Sequence, residues 1–300
     1  MKAAPFAYAR PGSVADAIAE LSHDGAKVIA GGQSLVPVLA MRLAQPSVLV
    51  DINSIRELGR IEEERGGVRI GANVRQRRVQ QDPAAAAVPL LRMALPWVGH
   101  RELRSRGTVC GSLAHADPAA ELPAVACCLE ASVTIAGADG DRVVDAADFF
   151  TAAMTTTVQP DELVTSVRFP TAGAAEGFGF AEIARRHGDF ALAGVAIRIR
   201  ALDPERPELR IVAFGISDKP VVRDESGWLA DALATCGPGA SDEALRRALS
   251  LRADDFAAGV VDTGGDSHGS TAYRRQLVAA LSSREIARAY AQATQKTARQ

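Results

Sequence analysis

Lys27-Val28-Ile29-Ala30-Gly31-Gly32-Gln33-Ser34-Leu35 is the stretch on which the reading of this chain turns. A short apolar run ends in two glycines, and helical spacing resumes from Leu35 to Leu43. That is a strand, a tight turn and a helix. Val48-Leu49-Val50-Asp51-Ile52 then reads as a second strand. Upstream, Ser13 is an N-cap for a helix over Val14 to Leu21, with Ala17, Ile18 and Leu21 on one face and Gly25 as a stop. Together these elements predict a compact βαβ-like unit.

The turn itself has two readings. Glycines let a ligand approach the backbone, so Ala30 to Ser34 presents several N–H groups, with the Ser34 hydroxyl beside them. Such a turn suits a phosphate. On its own residues, a plain tight turn is the commoner reading. It matches neither G-x-G-x-x-G nor G-x-x-x-x-G-K-[ST], so neither a Rossmann nor a P-loop site follows.

Working outward, Val68-Arg69-Ile70-Gly71 alternates as a half-buried strand, and Ala84 to Leu95 is expected to be one helix. Arg106 to Asp117 reads as a loop of small residues, and Pro118 to Leu129 as a helix with proline in its first turn. Val133-Thr134-Ile135 and Leu163 to Phe169 are strands. A boundary falls near Pro170 to Gly177. Three strand-like runs follow, Phe178 to Ala184, Ala191 to Arg200 and Leu209 to Ile216, then helical patterns at 241–252 and 271–292. The carboxy-terminal part therefore reads as α+β.

A second small-residue segment is Gly107-Thr108-Val109-Cys110-Gly111-Ser112-Leu113-Ala114-His115-Ala116-Asp117-Pro118. Two such segments could grip a diphosphate from opposite sides. His115 has three open roles: proton chemistry, hydrogen bonding to a cofactor or loop, and structure. Asp117 and Glu121, four apart at a helix start, either cap the helix or meet a ribose or adenine. A third segment, Arg185-Arg186-His187-Gly188-Asp189-Phe190-Ala191-Leu192-Ala193, carries a Gly-Asp hairpin turn. Phe190 just beyond it could lean on a planar cofactor.

Composition narrows the classes. At 300 residues there is room for roughly two domains. A net charge of -2 gives no field to gather nucleic acid. The basic run Arg75-Gln76-Arg77-Arg78 is short, lacks aromatic interleaving, and reads as a solvated helix face. Pro5 and Arg10-Pro11-Gly12 interrupt any signal-like start, and no stretch nears the roughly 18 apolar residues of a membrane span, which points to the cytoplasm. Cys110, Cys127, Cys128 and Cys236 lack the spacing of an iron–sulfur or zinc site, and Cys127-Cys128 read as buried small hydrophobes.

Taken in order, Ala30 to Leu35, Thr108 to Pro123, Arg185 to Ala196 and Gly269-Ser270-Thr271-Ala272-Tyr273-Arg274-Arg275 resemble the FAD-binding medium subunit of the molybdenum hydroxylases. This is the xanthine dehydrogenase and carbon monoxide dehydrogenase family. The resemblance spans nearly the whole chain. It implies an FAD-binding domain over 1–172 of the vanillyl-alcohol oxidase (PCMH) type, with subdomains of about 1–55 and 56–172. A carboxy-terminal domain over 177–295 would hold a three-stranded antiparallel sheet and a helix bundle, making the whole α+β.

The resemblance also implies roles. The first loop, from Ile29 and Ala30 through Gly31, Gly32, Gln33 and Ser34 to Leu35, would hold the FAD diphosphate through its backbone. Thr108, Val109, Cys110, Gly111 and Ser112 would contribute from the other side, with Ala114 and Asp117 beyond them. Glu121 matches an acidic position at the adenosine half, Val164 an aliphatic position near the adenine, and Phe190 an aromatic one beside the isoalloxazine. FAD would be bound non-covalently. Molybdopterin and two [2Fe–2S] clusters would sit on a large and a small partner subunit, in a dimer of heterotrimers. Two departures stand out: Cys110 replaces a frequent second glycine, and Phe190 lacks the hydroxyl of a tyrosine. The rival readings are a self-contained flavin oxidase of the same fold and a non-enzymatic nucleotide-binding module.

Overall fold

The computed structural model describes residues 2–203, 206–237 and 240–297. Strand β1 (Ala7–Ala9) opens the chain. The Ser13 hydroxyl then accepts from the Asp16 N–H at 3.1 Å and caps α1 (Val14–Leu21), which buries Ala17 and Leu21. Strand β2 (Ala26–Ile29) runs through the glycine turn into α2 (Leu35–Ala40), and β3 (Val48–Asp51) follows. These three strands are parallel, in the order β1-β3-β2. Helix α2 stops short of the expected Leu43, where Arg42 takes a φ of 59°.

Next come the hairpin β4 (Ile61–Glu64) and β5 (Gly67–Gly71), then α3 (Gln76–Gln81). The single helix expected over Ala84–Leu95 is broken. A 3-10 turn covers Pro83–Ala87 and α4 covers Pro89–Ala94. Pro89 bars helical backbone at Val88, which sits at φ -122° and ψ 74°.

The segment expected as a loop, Arg106 to Asp117, is largely helical. After α5 (Arg101–Arg106), the chain forms α6 (Val109–His115). Thr108 makes this possible, because its hydroxyl accepts from the Gly111 N–H at 3.0 Å. Ala116, at φ 52°, closes the helix in the left-handed region. Helix α7 (Glu121–Cys128) starts later than expected, so Pro123 rather than Pro118 lies in its first turn. The Asp117 carboxylate accepts from the Ala119 N–H at 2.8 Å and holds the preceding turn instead.

Strands β6 (Ser132–Gly137) and β7 (Gly140–Asp145), α8 (Ala146–Phe149), the short pair β8 (Phe150–Ala152) and β9 (Thr155–Thr156), and β10 (Leu163–Pro170) follow. Then come β11 (Glu176–Ile183), β12 (Ala193–Arg200), β13 (Glu208–Phe214) and β14 (Val221–Asp224). Helices α9 (Ser226–Cys236), α10 (Asp242–Val260) and α11 (Thr271–Thr297) complete the chain.

The chain divides into two compact units. The first comprises Met1–Ala87, His100–Ala116 and Glu130–Pro170. Beside its parallel sheet it has an antiparallel sheet in the order β4-β5-β10-β6-β7. Helix α1 packs on β6 and β10, and α6 packs on β5 and β10.

The second unit comprises Val88–Gly99, Asp117–Leu129 and Thr171–Gln300. Its sheet has four antiparallel strands, β11-β12-β13-β14, not the three expected, because β14 pairs with β13 from Ala213↔Val221 to Arg210↔Asp224. One sheet face meets α11, with α10 and α9 stacked beyond it, and the other meets α4 and α7. Helix α11 lies so near β11 that a Cβ on Gly177 would come within 1.9 Å of the Ala289 carbonyl oxygen. Trp228, Leu249, Ile197 and Ile211 are among the fully buried residues of this core.

Candidate functional site

In the first unit Ile29 ends β2, Ala30 to Ser34 form the turn, and Leu35 begins α2. Gly32 has φ +73°, a left-handed conformation that suits glycine. Among the described residues, no protein acceptor takes a hydrogen bond from the backbone N–H groups of Gly31, Gly32, Gln33 or Ser34. Gln33 and Ser34 are exposed. The turn thus offers a row of unused donors to solvent, or to an anion.

The second segment comes up against the first. A Cβ on Gly31 would lie 2.3 Å from the Arg106 carbonyl oxygen and 2.9 Å from the Gly107 Cα. Only a residue without a side chain lets the two backbones meet this closely. Beyond that contact, Thr108 caps α6. Val109 and Cys110 point into the core, and the Cys110 thiol donates to the Ile70 carbonyl at 3.5 Å. Burial pushes that thiol up to about 12, so it is neither a nucleophile nor a ligand at neutral pH. Cys110 is an ordinary helical position, where glycine's freedom is not needed. Ser112 is half-buried and Ala114 exposed. Val164 is buried on β10, opposite Ile135.

Three polar residues missed in the sequence hold these loops. Asn53 donates from Nδ2 to the Ala30 carbonyl at 2.9 Å. Arg75 donates from Nη2 to Asn53 Oδ1 at 2.5 Å and from Nη1 to the Arg106 carbonyl at 2.7 Å. The basic run is therefore not simply a solvated helix face: Arg75 is half-buried, and Gln76 is buried with Nε2 3.3 Å from the Thr108 carbonyl. Burial and the neighbouring Arg106 charge lower the Arg75 pKa. Behind Asn53 stands Asp51, which accepts from the Asn53 N–H at 2.9 Å and from the Tyr8 hydroxyl. Burial works against the Asp51 carboxylate, but these hydrogen bonds prevail and its pKa is lowered. The one available signal was Asp51-Ile52-Asn53, a sequence able to form an Asx turn.

Asp117, Glu121 and Phe190 belong to the second unit. Asp117 supports its turn as described, and Glu121 is buried at the start of α7. Glu182 on β11 is also buried, and among the described residues its Oε2 has no hydrogen-bond partner. Burial, then the Glu121 charge, raises the Glu182 pKa to about 8. Phe190 is 66% exposed, on the expected turn between β11 and β12. Arg274 pins the end of that turn. Its guanidinium donates to the Leu192 and Gly215 carbonyls at 2.5 and 2.7 Å and pairs with Asp266 at 2.6 Å. His187 stacks on Trp97, with ring centroids 6.0 Å apart.

Among the described residues, no helix is long and apolar enough to cross a membrane. The comparisons with known proteins agree with one another. Residues 4–172 match the family model described as the FAD binding domain in molybdopterin dehydrogenase. The nicotine 6-hydroxylase medium subunit of Paenarthrobacter nicotinovorans is 37% identical over 293 residues, covering 96% of this chain and 99% of the relative. Quinoline 2-oxidoreductase from Pseudomonas putida 86 has a chain that superposes with a TM-score of 0.86 at 34% identity, covering 98% of this chain and 99% of that one. A chain of carbon monoxide dehydrogenase from Hydrogenophaga pseudoflava superposes with a TM-score of 0.85 at 31% identity, covering 97% and 99%. The chain belongs to the FAD-binding medium subunits of the molybdenum hydroxylase family.

Proposed function

We propose that this chain is the electron-transfer subunit of a molybdenum-containing hydroxylase or dehydrogenase. It takes electrons from [2Fe–2S] clusters on a small partner subunit and passes them to an external acceptor. A large partner carries the molybdenum cofactor and meets the organic substrate, and the assembly is a cytoplasmic dimer of heterotrimers. The observation that carries the FAD site is the junction of the two glycine segments. Gly31 lies against the Arg106–Gly107 backbone while its own turn keeps a row of uncommitted N–H groups.

Those donors fit a diphosphate. Backbone N–H groups offer partial positive charge without the desolvation cost of a buried side-chain cation, and glycine leaves the approach clear. When bound, FAD supplies reversible electron transfer at its isoalloxazine. The chain's own work is to hold and orient it. Gly31, Gly32, Gln33 and Ser34 take the diphosphate, flanked by Ile29, Ala30 and Leu35. Thr108, Gly111, Ser112 and Ala114 line the second segment, while Val109 and Cys110 serve through their backbone. Val164 is the aliphatic neighbour of the adenine, and Asp117 and Glu121 serve the adenosine half. The exposure of Phe190 supports a role against the isoalloxazine. The first unit's parallel sheet and five-stranded antiparallel sheet support the PCMH-type assignment, with subdomains meeting near residue 55. The subunit reading, rather than a self-contained oxidase, is supported by a match along 99% of a relative named as a medium subunit.

The test is the visible spectrum of the pure full-length chain, followed by acid precipitation. Flavin absorbance that moves wholly to the supernatant is expected, with about one FAD per chain by this reading. A colourless protein that cannot be loaded with FAD would contradict the site. A yellow pellet would contradict non-covalent binding.

A further inference from the structure

We propose that Arg75, acting with Asn53, is the positioning residue that sets the spacing of the two glycine segments for the dinucleotide diphosphate. This rests on the reading of those segments as the FAD site. The Arg106 carbonyl is the atom that approaches Gly31, and it is also the acceptor of Arg75 Nη1 at 2.7 Å. The other arm of the same guanidinium reaches Asn53 Oδ1 at 2.5 Å. Asn53 in turn holds the Ala30 carbonyl at 2.9 Å, one residue before Gly31. A closed circuit results: Ala30, Asn53, Arg75, Arg106, and back across the contact to Gly31.

Every link lies in the first unit. By fixing the carbonyls of Ala30 and Arg106, the circuit fixes the peptide planes on either side of the Gly31 contact. Holding the Ala30 carbonyl inward turns the Gly31 N–H of the same peptide the other way, free for a ligand, while the Gly107 N–H behind the Arg106 carbonyl stays committed to the Leu103 carbonyl at 2.7 Å. Arginine suits this task because its planar fork serves two acceptors at once, whereas a lysine ammonium is a point donor. Asp51 completes the support by accepting from the Asn53 backbone N–H at 2.9 Å and from Asn53 Nδ2 at 2.5 Å.

The test uses the full chain stripped of flavin and titrated with FAD by fluorescence quenching. The variants are Arg75→Met, Arg75→Lys, Asn53→Ala and the double Arg75→Met/Asn53→Ala. Each single loss is expected to weaken FAD binding by about 10- to 100-fold, the scale of losing hydrogen bonds to a charged group. The double variant is expected to be no weaker than the weaker single one, since both cut the same circuit. Arg75→Lys is expected to recover only part of the affinity. Thermal melting of the stripped proteins, run in parallel, separates positioning from simple support. A merely structural role lowers the melting temperature but leaves the Kd of the folded fraction unchanged. Wild-type affinity in Arg75→Met or Asn53→Ala, or fully additive losses in the double variant, would overturn the proposal. Should Arg75→Met fail to fold, Arg75→Lys and Asn53→Ala decide it by the same Kd criterion. If the wild-type chain itself takes no FAD, the failure belongs to the site reading and not to Arg75.

Discussion

Gly32 and Glu182 show how much one side chain can change. Gly32 combines φ +73° with a place in the row of uncommitted donors. Gly32→Asp keeps a residue type that tolerates the left-handed region but brings a carboxylate to the diphosphate. Flavin content is expected to fall below detection, with circular dichroism and melting temperature little changed. Gly32→Asn, uncharged, is expected to retain measurable binding; equal FAD affinity in the two variants would argue against an anion there. Glu182 tests the second unit by pH. An unfolded glutamate titrates near 4.5, whereas the folded Glu182 titrates at about 8. Between these values the unfolded chain gives up a proton that the folded chain keeps. Stability therefore falls as pH rises through this window, and the full penalty is present above about pH 8. Glu182→Gln is expected to melt higher than wild type at pH 8.5, by several degrees, and to converge with it below pH 4.5. A difference independent of pH would mean the carboxyl is not held protonated.

At the scale of elements, the apolar strands were legible and the polar or very short edge strands were not. The apolar runs of β10, β11, β12 and β13 announced themselves, since both their faces are largely buried. By contrast β1, β4, β7 and β14, each at the edge of its sheet, went unread. Edge strands avoid continuous apolar sequence. Strand β4 is Ile61-Glu62-Glu63-Glu64, and its acidic side chains are matched by Arg69 on β5, at 2.5 Å from Glu62 and 2.6 Å from Glu64. Helix α6 was hidden by Gly111 and Ser112, whose composition reads as loop until the Thr108 cap is seen. Within the site, the glycine turn was legible from its own residues, but its supports were not. Asn53 and Arg75 matter because the fold brings them to Ala30 and Arg106, 23 and 31 residues away. The junction of the two segments gives an element-scale prediction. Gly31→Ala sets a Cβ against the Arg106 carbonyl oxygen and is expected to cost about 1–3 kcal/mol of stability, as for an overpacked core. FAD binding is expected to fall with it. Gly12→Ala, with nothing within 4 Å of the new Cβ, is the control and should leave both unchanged. Denaturant melts and FAD titrations of the two variants measure this, and a neutral Gly31→Ala would mean the segments do not meet.

For the whole molecule, each unit has its own sheet system and its own buried core, and the second wraps helices over both faces of its sheet. The first holds the glycine turn and its circuit of hydrogen bonds; the second holds Glu121, Glu182 and the pinned turn bearing Phe190. In the function proposed above, hydroxylation of the organic substrate falls to a partner subunit. Reconstitution tests this division of labour. The flavin-loaded chain alone, the chain with the iron–sulfur subunit, and the three-subunit mixture are each given substrate while flavin absorbance is followed anaerobically. Bleaching of the flavin is expected only in the three-subunit mixture. Substrate-dependent bleaching in the chain alone would contradict it and identify a self-contained oxidase.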